Sequence, residues 1–154
     1  MTAVATSTLE STETIAVPML DFVSPIPGFP AHRRFVLVRV TEEGVLFALT
    51  AVDDPELRFL VVPPAPFFPD YAPEIDEQSL ASIGATSADE LMILLVVTAG
   101  DTPGSSTANL MAPIVVNQSS RRAIQLVLGG SGLPIHAVLM PQYIGYSTRI
   151  AQIG

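Results

Sequence analysis

Residues 35–52 read FVLVRVTEEGVLFALTAV, and this stretch decides the fold class. Its two halves, residues 35–40 and 45–52, are rich in β-branched and aromatic side chains, which are typical of strands. Glu43 and Gly44 lie between the halves and favour a tight turn that reverses the chain. The stretch therefore predicts a β-hairpin.

Similar strand-like runs recur on both sides of this hairpin. Because the runs are almost continuously apolar, we expect strands that are buried on both faces. Together they predict an all-β fold, a small β-barrel-like domain of about seven or eight short strands. The further runs are residues 15–23, 59–62, 91–98, 112–117, 123–128 and 135–140.

One short helix is predicted over residues 77–83. Asp76 is suited to cap its N-terminus, and Gly84 suits the left-handed position that follows a helix end. A second motif, residues 87–90 (SADE), has the pattern of a capping box. Because the run behind this motif is strand-like, we expect only a single turn there.

The chain of 154 residues is suited to one domain with a substantial core, and we expect this domain to span residues 15–140. Residues 1–14 are rich in Ser and Thr and lack Lys, Arg and any apolar run, which predicts a flexible tail and no secretory signal. Residues 141–154 are expected to form a C-terminal tail. The absence of Cys favours a reducing compartment, and we expect a cytoplasmic protein without a membrane segment.

The formal net charge is −8, and all seven basic residues are Arg. This balance argues against direct nucleic-acid binding, which depends on clustered positive charge at the phosphates. An acidic surface is suited to a basic protein partner and accelerates encounter with it. The alternative is that the charge only keeps the protein soluble.

The composition makes an enzyme active site hard to place. The chain has neither Lys nor Cys, which excludes a P-loop lysine, a Schiff base and thiolate chemistry. The two histidines, His32 and His136, are isolated from each other and have no partner at a spacing typical of metal ligands. We therefore expect no catalytic residue, no metal site and no cofactor.

Residues 53–56 (DDPE) admit two interpretations. Asp53 and Asp54 could form the carboxylate pair of an acid–base hydrolase, which needs environments that separate the two pKa values. Alternatively the motif is a turn, in which Asp side chains bond the local backbone and Pro55 fixes the corner. We favour the turn.

Residues 63–73 (PPAPFFPDYAP) form the most unusual stretch of the chain. Its prolines restrict the backbone to extended or turn geometry and remove hydrogen-bond donors. The aromatic side chains of Phe67, Phe68 and Tyr71 could form a rigid ledge for a partner protein. Alternatively the segment is a lid whose rings close the barrel, and we favour the lid because large aromatic side chains tend to be buried.

Several short blocks, taken together and in this order, resemble the flagellar assembly factor FliW family. They extend over about residues 25–139, which is most of the chain. The chain departs from the family pattern at Thr50, Met111 and Ala123, where the family usually has Gln, Lys and Gly. The blocks are residues 26–29 (IPGF), 35–37 (FVL), 52–55 (VDDP), 59–61 (FLV), 67–71 (FFPDY), 109–117 (NLMAPIVVN) and 121–125 (RRAIQ).

The resemblance implies a β-barrel-like domain without catalytic activity. Proteins of this family bind the translational repressor CsrA and keep it from flagellin mRNA. They also bind flagellin, so that free flagellin competes for the factor and releases CsrA. We therefore expect CsrA and flagellin as partners of this chain, and a monomer when neither is bound.

The residues that contact these partners are expected in three places: the acidic turn, the aromatic ledge and the start of a later strand. About half of them are expected to have a structural role instead, with Asn109 in a turn and Leu110 in the core. An alternative function for the whole domain is a barrel that holds a small apolar ligand. The candidate residues are Asp53, Asp54, Glu56, Phe67, Phe68, Asp70, Tyr71, Asn109 and Leu110.

Overall fold

The computed structural model describes residues 19–40, 45–101 and 105–139. Three predictions lie outside these ranges: the turn at Glu43 and Gly44, the tail over residues 1–14 and the tail over residues 141–154. No helix among the described residues has the length and apolar character needed to cross a bilayer.

The described residues form nine strands and one short helix, α1 (Glu77–Ser82), which confirms the predicted all-β class. A single 3-10 turn covers Ala88–Glu90. The strands are β1 (Met19–Phe22), β2 (Arg34–Arg39), β3 (Phe47–Ala51), β4 (Asp54–Val62), β5 (Leu91–Thr98), β6 (Thr107–Ala108), β7 (Ile114–Asn117), β8 (Arg122–Gln125) and β9 (Ala137–Val138).

Seven of these strands close into a barrel. They follow the order β4-β3-β2-β1-β8-β7-β5, and pairing between β4 and β5 completes the ring. All pairings are antiparallel except the one between β1 and β8, which is parallel. The short strands β6 and β9 extend the sheet from β5. The predicted barrel is therefore confirmed.

The barrel interior is filled by side chains that alternate along the strands. In β2, Phe35 and Leu37 are buried, whereas Arg34 is exposed, as the two-residue period of a strand requires. The rings of Phe22 and Phe35 meet edge to face, with their centroids 5.3 Å apart. Aliphatic side chains from β3, β4, β5, β7 and β8 complete this inner cluster.

Two layers cover parts of the outer surface of the barrel. Residues 63–73 place Phe67 against Val62, Leu95 and Val97, and Phe67 is only 2% exposed. This segment therefore acts as a lid, but it covers the outer face of β4 and β5 and not an open end of the barrel. The helix α1 and the residues around it cover β7 at Val115 in the same manner.

The helix ends follow the predicted chemistry. The Asp76 carboxylate accepts hydrogen bonds from the backbone N–H of Ser79 (3.2 Å) and from its hydroxyl (2.6 Å). Gly84 follows the helix with φ +73°, a conformation that costs glycine little. The predicted capping box at residues 87–90 is wrong in detail, because the Ser87 side chain makes no capping bond.

Strand limits differ from the predicted ones where backbone pairing decides the structure. β4 begins at Asp54 and not at residue 59, because its polar first half pairs with β3 through Thr50 and Ala51. β8 ends at Gln125 and β9 spans only Ala137–Val138, both shorter than the predicted runs. Apolar content alone cannot show where a ladder of backbone hydrogen bonds begins or ends.

Asn117 is a buried polar residue that joins the helix to the barrel. Its side-chain N–H donates to the carbonyl of Ile83 (2.9 Å), and its oxygen accepts from the N–H groups of Ser119 (2.9 Å) and Ser120 (3.4 Å). The side chain is thus satisfied at 1% exposure and holds the turn between β7 and β8 against the helix end.

Replacement of Asn117 by Ala is expected to lower the free energy of unfolding by about 2–3 kcal/mol, because it removes the three hydrogen bonds of a buried side chain. Urea unfolding measures this change. The matched control is Ser119→Ala at an exposed neighbouring position, with an expected change within about 0.5 kcal/mol. Equal stability of the two variants would contradict a structural role for the Asn117 side chain.

The neighbouring rings of the lid are expected to differ in their effect on stability. Phe67→Ala should lower the free energy of unfolding by about 3–5 kcal/mol, because it opens a cavity in the core. Phe68 is half-buried, and Phe68→Ala should cost about 1–2 kcal/mol. Urea unfolding of both variants tests the lid, and a larger loss for Phe68→Ala would refute the assigned burial.

Candidate functional site

The acidic turn, defined by Asp53, Asp54 and Glu56, runs from the turn after β3 into the first residues of β4. The turn predicted over residues 53–56 is therefore wrong beyond Asp53, because β4 begins at Asp54. The Asp54 carboxylate accepts a hydrogen bond from the backbone N–H of Glu56 (3.3 Å), which is the local bonding predicted for a turn. The Asp53 side chain is 67% exposed. The turn therefore presents negative charge directly to solvent.

His32 lies beside this turn. Its Nδ1 is 2.9 Å from Oδ1 of Asp53, and its Nε2 is 4.0 Å from Oδ2 of Asp54. The expectation that both histidines are isolated is therefore wrong for His32. The β2–β3 register pairs Phe35 with Ala51, and continuing it outward would have placed residue 32 against residue 54.

The hydrogen bond with His32 holds the pKa of the Asp53 carboxyl below its usual value, and the charge of Arg34 acts weakly in the same direction. Asp53 is therefore ionised throughout the physiological range. A general acid or base needs a pKa near the working pH, and the shift at Asp53 is in the opposite direction. Asp53 therefore lacks the raised pKa that a catalytic acid of a hydrolase needs.

The aromatic ledge, defined by Phe67, Phe68, Asp70 and Tyr71, presents little of its ring surface to solvent. Phe67 is in the core, and Phe68 and Tyr71 are half-buried. The Tyr71 hydroxyl donates to the carbonyl of Leu110 (2.7 Å), and burial raises the pKa of Tyr71 to about 12. Of the ledge residues, Asp70 is the exposed one.

Asn109 and Leu110 shape the connection between β6 and β7. The Asn109 side-chain oxygen accepts from the N–H groups of Met111 (3.0 Å) and Ala112 (3.1 Å). β5 pairs with β6 at Val97–Ala108 and with β7 at Leu94–Ile114. The turn at Asn109 separates these two pairings. Leu110 is buried in the cluster beneath the lid. Both side chains are therefore engaged within the fold.

The structure separates the candidate residues into two groups. Asn109 and Leu110 join the aromatic ledge through the Tyr71 hydroxyl. The acidic turn lies at the other end of β4, whose nine residues span about 25 Å. A partner must be large to contact both groups at once, and two partners could use them separately.

One cavity among the inner side chains is smaller than a usual small-molecule site. A cavity of about 160 Å³ lies among inner side chains such as Phe59 and Ile114, and small-molecule sites usually have about 300 Å³ or more. A larger groove of about 470 Å³ lies outside the barrel, between residues 72–74 and 128–133. Within the described ranges, no group of three or more His, Cys, Asp or Glu side chains is placed to hold a metal ion.

Comparisons with known proteins agree with this architecture. A family model described as FliW protein matches residues 3–139. The chain is 37% identical over 114 residues to flagellar assembly factor FliW 2 of Desulfotalea psychrophila, a match that covers 74% of this chain and 75% of that protein. It is 34% identical over 110 residues to flagellar assembly factor FliW of Bacillus subtilis, with 71% and 77% covered.

The similarity extends to three dimensions. A crystal structure of the flagellar assembly factor FliW matches with a TM-score of 0.74 at 30% sequence identity, covering 80% of this chain and 86% of that one. Sequence and fold therefore agree over the same region, and the chain belongs to the FliW family of flagellar assembly factors.

Proposed function

We propose that this protein is a non-enzymatic, cytoplasmic regulator of flagellar assembly that binds a CsrA-type translational repressor and flagellin. The observation that carries the proposal is the family match over residues 3–139 together with the shared fold. Binding of CsrA would relieve repression of flagellin mRNA. Flagellin would compete for the same protein, so that its synthesis follows its export.

The acidic turn supports a role in binding CsrA. A repressor that binds RNA carries positive charge around its RNA site. The chain has a net charge of −8, and the hydrogen bond with His32 lowers the pKa of the Asp53 carboxyl, so that its charge persists to lower pH. Negative charge docked close to the RNA site would repel RNA. At physiological salt this repulsion acts over about 8 Å, so the docked surface must lie within that distance of the RNA site.

The candidate contact residues are restricted by burial. The proposed contacts are the acidic turn, together with the exposed Asp70 and the half-buried Phe68. The proposal leaves out four candidates, Phe67, Tyr71, Asn109 and Leu110, because their side chains pack or bond within the fold. Their expected influence on binding is indirect, through the shape of the lid.

Isothermal calorimetry with CsrA and flagellin from the same cell tests the proposed function. The purified chain is expected to bind each partner, and flagellin is expected to reduce the amount of CsrA bound. The heat of dilution of each partner into buffer serves as the control. Absence of binding to both partners would refute the proposal, and simultaneous binding without competition would refute the feedback.

Charge reversal of the acidic turn is expected to slow association with CsrA. Asp53→Arg with Asp54→Arg should reduce the association rate by about tenfold at low salt and flatten its salt dependence, because electrostatic steering is lost. Stopped-flow fluorescence measures the rate. The control pair Glu74→Arg with Asp89→Arg makes the same charge change at exposed positions away from the turn. Equal slowing by both pairs would indicate an effect of net charge alone.

A further inference from the structure

The arginines of the described residues are free of ion pairs, although acidic residues outnumber basic ones by 15 to 7. Both side-chain ion pairs among the described residues are formed by His32. Guanidinium groups without an ion pair in an acidic protein can bind an external anion. The Arg33 guanidinium is partly engaged, because it donates to the carbonyl of Val23 (2.8 Å). The arginines concerned are Arg33, Arg34, Arg39, Arg58, Arg121 and Arg122.

Four of these residues meet at one end of β1 and form the arginine cluster (Arg33, Arg34, Arg121 and Arg122). Asp21 of β1 pairs with Arg34 of β2 on one side and with Arg122 of β8 on the other. Since neighbouring strands are about 4.8 Å apart, the Cα atoms of Arg34 and Arg122 are separated by about 10 Å.

The flanking arginines are fixed to the same strand through their backbones. The carbonyl of Arg33 accepts from the N–H of Phe22 (2.8 Å), and the carbonyl of Arg121 accepts from the N–H of Asp21 (2.9 Å). The pairing of β1 with two strands thus joins two Arg-Arg dipeptides that are far apart in the sequence. The acidic residue Asp21 lies between the two dipeptides. A second acidic residue, Asp53, lines a cavity of about 210 Å³ together with Arg33 and Arg34.

The arginine cluster borders an uncovered apolar strip of the barrel. Met19 pairs with Val36, and Val52 donates its N–H to the carbonyl of Arg34 (2.9 Å). Met19 is 45% exposed and Val52 is 41% exposed. The lid and α1 cover other outer faces of the barrel, whereas this one combines free positive charge with exposed aliphatic side chains.

Arg121 itself has a left-handed backbone, with φ +65°. This conformation is costly for a residue with a long side chain and is usually left to Gly or Asn. Arg121 closes the turn that begins at Asn117, whose carbonyl accepts from the N–H of Arg121 (2.8 Å). Strained residues concentrate at functional sites, and here the backbone carbonyl of Arg121 accepts from the N–H of Asp21 in β1 (2.9 Å).

We propose that this face binds an acidic polypeptide segment of a partner protein, in which Asp or Glu side chains alternate with apolar ones. The carboxylates would pair with the arginine cluster, and the apolar side chains would cover Met19, Val36 and Val52. A nucleic acid is disfavoured as the occupant by the net charge of −8 and by the aliphatic character of the strip. The proposal goes beyond the CsrA and flagellin roles, because it concerns a ligand of opposite charge to the one suited to the acidic turn.

Fluorescence anisotropy with a labelled peptide of alternating Glu and Val residues tests this surface. Arg34→Glu and Arg122→Glu are each expected to weaken binding about fivefold, through one lost ion pair and one new repulsion. The matched control is Arg39→Glu on the same strand as Arg34, about 17 Å from it, with an expected change of less than about twofold. Binding by the unmodified chain should also weaken as salt is raised.

Arg121→Gly separates binding from folding. Glycine adopts the left-handed conformation readily, so this variant should melt at the same or a higher temperature. It should nevertheless bind the peptide about twofold more weakly, because one guanidinium group is lost. Unchanged binding together with a higher melting temperature would show that Arg121 has no part in the surface.

Four further results would overturn the proposal: no detectable binding of the Glu-Val peptide, equal binding of a Lys-Val peptide, equal weakening by Arg39→Glu, or tighter binding of a single-stranded RNA of the same length. The last result would assign the surface to nucleic acid. None of these outcomes depends on CsrA or flagellin, so failure here is distinguishable from failure of the proposed function.

Discussion

The parallel pairing of β1 with β8 is the constraint on which the rest of the structure depends. Only two residue pairs, Asp21 with Arg122 and Phe22 with Ala123, define its register. Without this contact the other strands would form an open sheet, and the inner cluster would be exposed along two edges. With this pairing, Phe22 points inward against Phe35 and Asp21 points outward. The same contact therefore closes the barrel and determines which charged residues are neighbours on its surface.

The surface near β1 carries both signs of charge at short range. His32 bonds to the acidic turn, whereas Arg34 remains unpaired and lowers the pKa of Asp53 through its charge. Both features arise from the β2–β3 hairpin, whose strand ends bring residues 32–34 and 52–54 together. Exposed charges of this kind contribute little to stability. Their physical effect is therefore on association, where complementary potential decides the partner and the rate.

Local pattern was sufficient to predict the class of the fold, the helix cap at Asp76 and the hairpin strands. These features depend on neighbours in the chain, as strand periodicity and capping do. The hydrogen bonds of the candidate site could not be predicted from local pattern. The roles of Asn109 and Tyr71 depend on hydrogen bonds to Met111, Ala112 and Leu110, and the bond between His32 and Asp53 joins residues 21 positions apart. That bond could have been predicted only by extending the β2–β3 register past the ends of both strands.

The sequence by itself determined that this protein is an acidic, all-β member of the FliW family, since composition, strand periodicity and the order of short motifs are properties of the chain alone. Tertiary structure alone decided which of those motif residues are buried and which are available to a partner. Phe67 and Phe68 are adjacent and chemically identical, yet Phe67 lies in the core and Phe68 is half-buried. Likewise Arg33-Arg34 and Arg121-Arg122 are distant dipeptides until β1 pairs with both strands. The physical reason is that burial and charge proximity depend on contacts between distant segments, which are made only when the barrel closes.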